Sequence, residues 1–424
     1  LNITNDAFMR LPDANHGEGA AAAESTAALA NRQAEQAATT PCGTPAAADR
    51  KSLDGLYLHL PFCFHKCHYC DFYSVVDRPG HDRQADFTDA LIRELRSAAD
   101  RHDLRPSTVF CGGGTPTLLR AELWQRLLGT LWELGVLDRC EEFTVEANPE
   151  TVSRELMDQL VTGGVNRVSI GAQSFQRPLL QMLERWHDPD NVGRAVRLAR
   201  DAGIDDVSLD LIFATPGQDV AMLDADLDAA LALGPDHLSV YGLTYEPGTA
   251  MTARLRAGRV TRCDEDVEAD MFDHVGARLA AEGFGRYEIS NWARPAHACG
   301  HNLMYWTGGD WRGIGPSAAS HVAGHRWRNA PDLARYLADS PDPPTLDHER
   351  LAGDDAVGER LMLMLRLRRG VPAAWLDENV PADHPRREEL HQLRGLGLLE
   401  WHADHLRLTD VGLRVADSVI ARLL

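Results

Sequence analysis

Positive charge is scarce in this chain. Over 424 residues, 43 Lys and Arg stand against 63 Asp and Glu, a formal net charge of −20. No basic run relieves that acidity, so nothing is suited to neutralise a phosphate backbone, and nucleic acid is not an expected partner. Long apolar runs are missing too. None approaches the ~20 residues of a membrane span, and the start lacks the basic region and apolar core of a secretory signal. A cytoplasmic protein is therefore expected. Cysteine is sparse and mostly solitary: Cys42, Cys111, Cys140, Cys263 and Cys299 fall singly, which is no disulfide framework and suits a reducing compartment.

Three cysteines break that pattern. Cys63, Cys67 and Cys70 form C-x3-C-x2-C directly after an apolar, β-compatible run at 56–60 that Pro61 stops. The thiols are thus expected on a loop at the carboxyl end of a strand, where α/β sheets bind ligands. Thiolates are soft ligands that suit zinc, copper(I) or iron–sulfur clusters, and three so close can hold three corners of one metal centre. The plainer alternative is a structural zinc site completed by His65 or His68.

A second segment, Val109-Phe110-Cys111-Gly112-Gly113-Gly114-Thr115-Pro116, reads as a strand running into three glycines. Glycine lets backbone amides and carbonyls approach a polar ligand. The Gly-Lys-Ser/Thr ending of a phosphate loop is absent, and taken alone the segment is equally a tight turn. Glu146, Gln173 and Asp210 fall at or near the ends of later predicted strands. Each by itself is as much a cap or a loop-fixing group, but their repetition at one end of a sheet points to a shared mouth. Arg185 is either a carboxylate clamp or an exposed helix-end residue.

Around these motifs the chain divides into four. Residues 1–52 read as a disordered Ala-rich leader, with a short helix near 20–37. Residues 53–282 alternate strands at 56–60, 108–111, 142–146, 167–170, 206–211 and 237–241 with helices at 87–99, 121–134, 154–160, 192–202 and 220–233, then two further helices at 251–257 and 264–282. Six β/α units with right-handed crossovers predict an α/β fold, a partial (β/α)6 barrel. Residues 283–354 form a Gly/Trp/His-rich connecting region with too many special backbone positions for a packing helix. Residues 355–424 predict helices at 358–368 and 386–396, a hairpin at 398–409 and a last helix at 411–423, an order that resembles a small winged-helix domain. Glu400, Asp404 and Asp410 suit it to a structural or partner-docking role rather than to reading DNA.

Together the cysteine loop and the Gly-Gly-Gly-Thr-Pro segment resemble the radical S-adenosylmethionine (SAM) superfamily. The resemblance implies that Cys63, Cys67 and Cys70 hold a 4Fe-4S cluster with one open iron, which SAM chelates. It further implies that an electron reaching the cluster from a donor splits SAM and releases a 5′-deoxyadenosyl radical, chemistry that belongs to the cofactors.

Over nearly all of residues 55–424 the chain resembles the anaerobic coproporphyrinogen III oxidase family and, within it, the HemW-type haem chaperones. That resemblance implies contacts of Tyr57, Gly113, Glu146 and Ala319 with the cluster-bound SAM, and of Tyr69, Gly114, Thr115, Gln173, Arg185, Asp210 and Thr244 with a second SAM. The oxidases carry a further cysteine shortly after the triad, whereas Cys70 is followed here by Asp71-Phe72-Tyr73, as in the HemW type. Oxidation of coproporphyrinogen III is accordingly not expected. The HNxxY segment from His301 to Tyr305 is implicated by the resemblance in haem binding, which makes His301 and Tyr305 haem candidates on an accessible segment, with Cys299 a competing soft ligand. Their four-residue separation puts both on one face if the segment is helical. A chaperone implies haem as cargo and an apo-haemoprotein as acceptor. The alternative is a class C radical SAM methyltransferase using two SAM molecules on a small aromatic natural-product precursor. A zinc-stabilised binding module is the third reading.

Overall fold

Six apolar runs form parallel strands: β1 (Gly55–Leu60), β2 (Thr108–Gly113), β3 (Glu142–Ala147), β4 (Arg167–Gln173), β5 (Asp206–Phe213) and β6 (His237–Gly242), each paired with the next. The computed structural model describes residues 52–77 and 83–424, so the expected leader and its Ala-rich helix lie outside the described residues, Ser52 excepted. Every residue of β1 and β4 is buried, as in parallel strands covered on both faces.

The connecting helices are α1 (Gln84–Arg101), α2 (Ala121–Glu133), α3 (Arg154–Thr162), α4 (Arg177–Leu183), α5 (Asp190–Ala202), α6 (Val220–Ala232), α7 (Ala250–Arg256) and α8 (Glu265–Ala281). Local chemistry sets several of their ends. Ser153 Oγ accepts from Leu156 N at 3.2 Å to cap α3, and Asp219 accepts from Met222 N at 2.8 Å to cap α6. Sequence periodicity did not reveal α4, which is only seven residues long. It ends on Glu184 in the left-handed conformation, φ 52°, which turns the chain toward Arg185.

The stretch expected to be a connecting region builds both edges of the same sheet. On one side β7 (Gly285–Glu288) and β8 (Asn291–Ala293) follow β6, with β8 antiparallel to it. On the other, β9 (Trp311–Ile314) pairs in parallel with β1, and β10 (Ala319–Val322), β11 (His325–Asn329) and β12 (Thr345–Arg350) continue antiparallel. The sheet thus has twelve strands, in the order β12-β11-β10-β9-β1-β2-β3-β4-β5-β6-β8-β7. A helix also forms there, α9 (Gly300–Trp306), against the expectation that this composition would not support one. Its start is stabilised from afar, because the Glu142 carboxylate on β3 accepts from Gly300 N at 2.6 Å and from His301 N at 3.0 Å.

After α10 (Leu333–Asp339), the C-terminal unit comprises α11 (Gly353–Arg366), a short strand β13 (Val371–Pro372), α12 (Ala373–Asn379), α13 (Pro385–Gly395) and the hairpin β14 (Leu399–His402) with β15 (His405–Leu408). The last predicted helix is broken at Val415 into α14 (Asp410–Arg414) and α15 (Ala416–Ala421). This unit has its own apolar core, including Leu361, Leu393, Leu406 and Val419. Among the described residues, no helix is long and apolar enough to cross a membrane.

A fully buried carboxylate ties α1 to the added edge of the sheet. Glu94 accepts from Arg312 Nη2 at 2.9 Å, Gly315 N at 2.9 Å, Asn329 Nδ2 at 2.9 Å and Tyr336 Oη at 2.7 Å. Removing one partner from a buried charged pair typically costs about 3–5 kcal/mol, whereas losing a single donor costs about 1 kcal/mol. In denaturant unfolding, Glu94→Ala should therefore cost several-fold more stability than Tyr336→Phe. Equal losses would show that the carboxylate is not the hub.

Candidate functional site

The thiol loop is closed by a two-strand parallel pairing. Phe62 and Cys63 pair in register with Val75 and Val76, so both ends of the loop are pinned side by side. Its middle is tied down by backbone bonds, His68 N donating to Leu183 O on α4 at 3.1 Å and Met251 N on α7 donating to His68 O at 2.8 Å. Thr115 Oγ1 donates to Cys63 Sγ at 3.6 Å, and Arg185 Nη1 donates to Cys67 Sγ at 3.8 Å. Burial, reinforced by the neighbouring Cys67 sulfur, pushes the Cys63 thiol up and that of Cys70 to about 12. A cationic centre is what such thiols need in order to ionise.

The spread of the thiols bears on which centre fits. One tetrahedral zinc, with Zn–S bonds of about 2.3 Å, holds its sulfurs roughly 4 Å apart. Among the described residues the one group of three His, Cys, Asp or Glu ligand atoms mutually within 4.8 Å is Asp206, Asp236 and His297, at the opposite end of the strands. The three cysteine sulfurs are therefore not all within 4.8 Å of one another. Separate irons of a larger iron–sulfur centre can each take one of them. Of the two histidines proposed to complete a zinc site, His68 is engaged elsewhere, its Nδ1 2.9 Å from Arg254 Nη1, whereas His65 stacks on Trp186 with centroids 3.8 Å apart and its buried Nε2 has no partner.

The glycine segment abuts this loop. Gly114 N donates to Leu60 O at 2.8 Å and Thr115 N to Phe62 O at 2.7 Å. A Cβ on Gly114 would stand 2.6 Å from Phe62 O, and Gly113, at φ +104°, faces the His59 ring where any side chain would collide. Only glycine fits at either position.

Beyond the thiols, at the carboxyl ends of the strands, opens a cavity of about 450 Å³. It is lined by Cys63, Cys67 and Cys70 together with Tyr69, Gly113, Gly114, Thr115, Glu146, Gln173, Arg185, Asp210 and Thr244. Burial, then the nearby Asp210, raises the Glu146 carboxyl to about 8, although Gly113 N donates to it at 3.3 Å. Burial also raises Asp210, against a hydrogen bond from Ser169 Oγ at 2.9 Å and the nearby charges of Arg167 and Arg185. Two buried carboxylates without a protein cation bonded to them suit a ligand that brings positive charge, as the amino and sulfonium groups of SAM do. Gln173 sits at φ 64° where the register between β4 and β5 shifts, a costly conformation for a non-glycine residue. Its Oε1 accepts from Tyr241 Oη at 3.1 Å, while Arg185 Nη2 donates to Gly171 O at 2.9 Å.

Four sequence-predicted residues lie elsewhere. Tyr57, three residues before the end of β1, faces a smaller inner cavity of about 40 Å³, with its Oη 3.2 Å from His59 Nδ1. Ala319 is fully buried in β10, its carbonyl accepting from Trp311 Nε1 at 3.1 Å. Neither lines the large cavity. His301 and Tyr305 share one face of α9, but both are buried rather than accessible. His301 Nδ1 meets Thr108 Oγ1 at 2.8 Å and its Nε2 meets Tyr305 Oη at 3.0 Å, so both ring nitrogens are used internally. Burial lowers this imidazole to about 3, which keeps it neutral. Cys299 is buried as well, donating to Glu142 Oε1 at 3.4 Å.

Sequence reasoning missed the far wall of the large cavity. Trp306 of α9, Met362, Leu363 and Arg366 of α11, and Ile420, Ala421 and Leu424 at the end of the chain complete it. No local signal marks them, because they meet the thiols only through the tertiary fold. The Trp186 platform over His65 had one available cue, an aromatic residue directly after Arg185.

Comparison with known proteins follows this geometry. Residues 57–230 match the radical SAM superfamily and residues 351–415 the HemN C-terminal domain. The chain is 39% identical over 375 residues to the heme chaperone HemW of Mycobacterium tuberculosis, covering 87% of this chain and 94% of that protein. It is 34% identical over 370 residues to heme chaperone HemW of Lactococcus lactis, covering 87% and 96%. Its fold is similar to that of coproporphyrinogen III oxidase (HemN) from Escherichia coli, with a TM-score of 0.74 at 23% identity over 88% of this chain and 90% of that one.

Two predictions follow from the thiols and the carboxylates. Anaerobic reconstitution should load about four irons per chain with a broad visible absorption, and Cys63→Ala, Cys67→Ala or Cys70→Ala should abolish it; stoichiometric zinc without cluster would refute the assignment. The second concerns pH. Glu146 keeps its proton to about pH 8 when folded against an ordinary value of 4.5, so the unfolded chain releases it first and stability falls as pH rises through that window. In the metal-free, SAM-free protein, Glu146→Gln should match the wild type near pH 4 and exceed it increasingly toward pH 8. Parallel stability curves would contradict the carboxylate's burial.

Proposed function

The chain belongs to the HemW family within the radical SAM superfamily, and from that membership we propose that it is a haem chaperone, binding haem and passing it to an apo-haemoprotein. One observation carries the reading: near full-length similarity to proteins named as haem chaperones, at up to 39% identity. The residues after the triad support it. The next cysteine after Cys70 is Cys111, buried in β2, and among the described residues the triad's are the only cysteines lining the large cavity.

Cys63, Cys67 and Cys70 are the residues that would hold the 4Fe-4S cluster, and Gly113, Gly114, Glu146 and Asp210 those that would receive SAM. When bound, these groups supply one-electron reduction and cleavage of SAM. The chain's own contribution is to place backbone amides beside the thiols, to set buried carboxylates where positive charge arrives, and to exclude water with the wall from the C-terminal unit. Arg185, between Cys67 and Gly171 O, orients the loop against β4.

Titrating ferric haem into the reconstituted, full-length chain should give a saturable Soret change at about one equivalent, and an apo-haemoprotein added afterwards should acquire that haem. Incubation of the reduced protein with SAM should yield 5′-deoxyadenosine. If haem binding never saturates while an aromatic substrate yields S-adenosylhomocysteine, the protein is a methyltransferase instead.

A further inference from the structure

Inside the barrel, behind the large cavity, lies the smaller chamber of about 40 Å³. Arg167, the first residue of β4, lines it and is 3% exposed. Among the described residues no group accepts a hydrogen bond from this guanidinium. Its Nε is sealed in the wall without a partner, which leaves the two Nη nitrogens as the donors that face the chamber. Glu142 and Asp206, which open the neighbouring strands β3 and β5, act on it only through space, as does Asp210 from the thiol side. All three are committed elsewhere. Glu142 accepts from Gly300 N and His301 N, Asp206 Oδ2 lies 3.1 Å from His297 Nδ1, and Asp210 accepts from Ser169. Buried donors are nearly always satisfied in native proteins, so the Nη edge marks a place where a ligand brings the acceptor.

Charge and size decide which ligand. Burial lowers the imidazoles of His237 and His301 and raises the groups of Tyr287, Tyr305 and Cys299, which keeps all five neutral. Glu146, raised to about 8, keeps most of its proton at neutral pH as well. Beside them only the guanidinium is charged, and it does not give up its proton. Two coplanar Nη donors offer a fork for two acceptor atoms or for one halide. A buried water takes about 10–15 Å³ measured with a probe of its own size, so the chamber admits an ion of one to four heavy atoms. Nucleotides and porphyrins are too large.

We infer that the inner chamber is a site for one small monovalent anion, a halide such as chloride or a planar oxyanion of formate or nitrate size, held on the Nη edge of Arg167. Its way in leads past Glu146, which lines both cavities. The anion gives the guanidinium the bonded partner that the protein withholds, and the site is independent of the chaperone reading.

The test has two arms, both on the full-length, reconstituted protein. Carbon-14 formate, equilibrated by dialysis in a sulfate buffer of constant ionic strength, should bind saturably at about one per chain. Chloride and nitrate should displace it, while further sulfate should not, and the order of the two displacers tells a halide site from an oxyanion site. Arg167→Met should weaken formate binding about 100-fold, the loss of two charge-assisted hydrogen bonds, with the iron–sulfur absorption intact. The second arm needs no variant: in wild-type crystals soaked in bromide, the bromine anomalous signal should peak beside the Nη nitrogens of Arg167. No saturable formate binding, together with density in the chamber that carries no bromine signal, means that water alone fills it and overturns the proposal. Formate binding that survives Arg167→Met unchanged overturns it too.

Discussion

The position of the thiols depends on the buried carboxylate of Glu94. β1 delivers the chain to the cysteine loop, and it is held on both sides, by β2 and by β9. The β9 side is fixed by Glu94, which gathers Arg312, Gly315, Asn329 and Tyr336 from 218 to 242 residues away. Gly315, at φ +108°, packs directly on the His59 carbonyl, where any side chain would collide. His59 Nε2 in turn reaches Tyr73 O at 2.8 Å, at the far end of the thiol loop. A continuous path of backbone contacts and hydrogen bonds therefore runs from a helix carboxylate to both ends of the loop. Such a path transmits displacement because protein interiors are close-packed and yield little.

The inside of the barrel is left electrostatically unfinished. Glu146 faces both cavities, with Asp210 near it on the thiol side and Arg167 in the inner chamber, where the Nε of that guanidinium has no partner. Stability is diminished by each such group. Proteins retain arrangements of this kind where binding needs them, and the concentration of raised carboxylates and thiols at the carboxyl ends of the strands fits that trade.

The barrel was legible in the sequence because parallel strands covered on both faces are continuous apolar runs. The strand ends were less so, since residues such as Gly112, Gly113 and Gln173 extend β2 and β4 through pairing and ligand-side geometry rather than through propensity. The edges at β7 to β12 stayed hidden for a related reason. They are short, interrupted by glycines and polar residues, and become strands only because β1 and β6 offer unpaired edges. Helix α9 shows the clearest limit, its start being held by Glu142, 158 residues away. The thiol half of the cavity was readable because its ligands are clustered in sequence. The C-terminal wall was not, because Trp306, Arg366 and Ile420 come together at one cavity only in three dimensions.

Lys66 gives the thiol loop a property of another kind. It is exposed on the rim of the large cavity, its Nζ 3.3 Å from Phe72 O, and the 424 residues contain only one other lysine, Lys51. Among the described residues an acylating reagent selective for lysine amines therefore has one address, at the mouth of the site. The rate at which that amine reacts becomes a direct footprint of what enters and leaves the cavity, readable by peptide mass spectrometry without altering a residue.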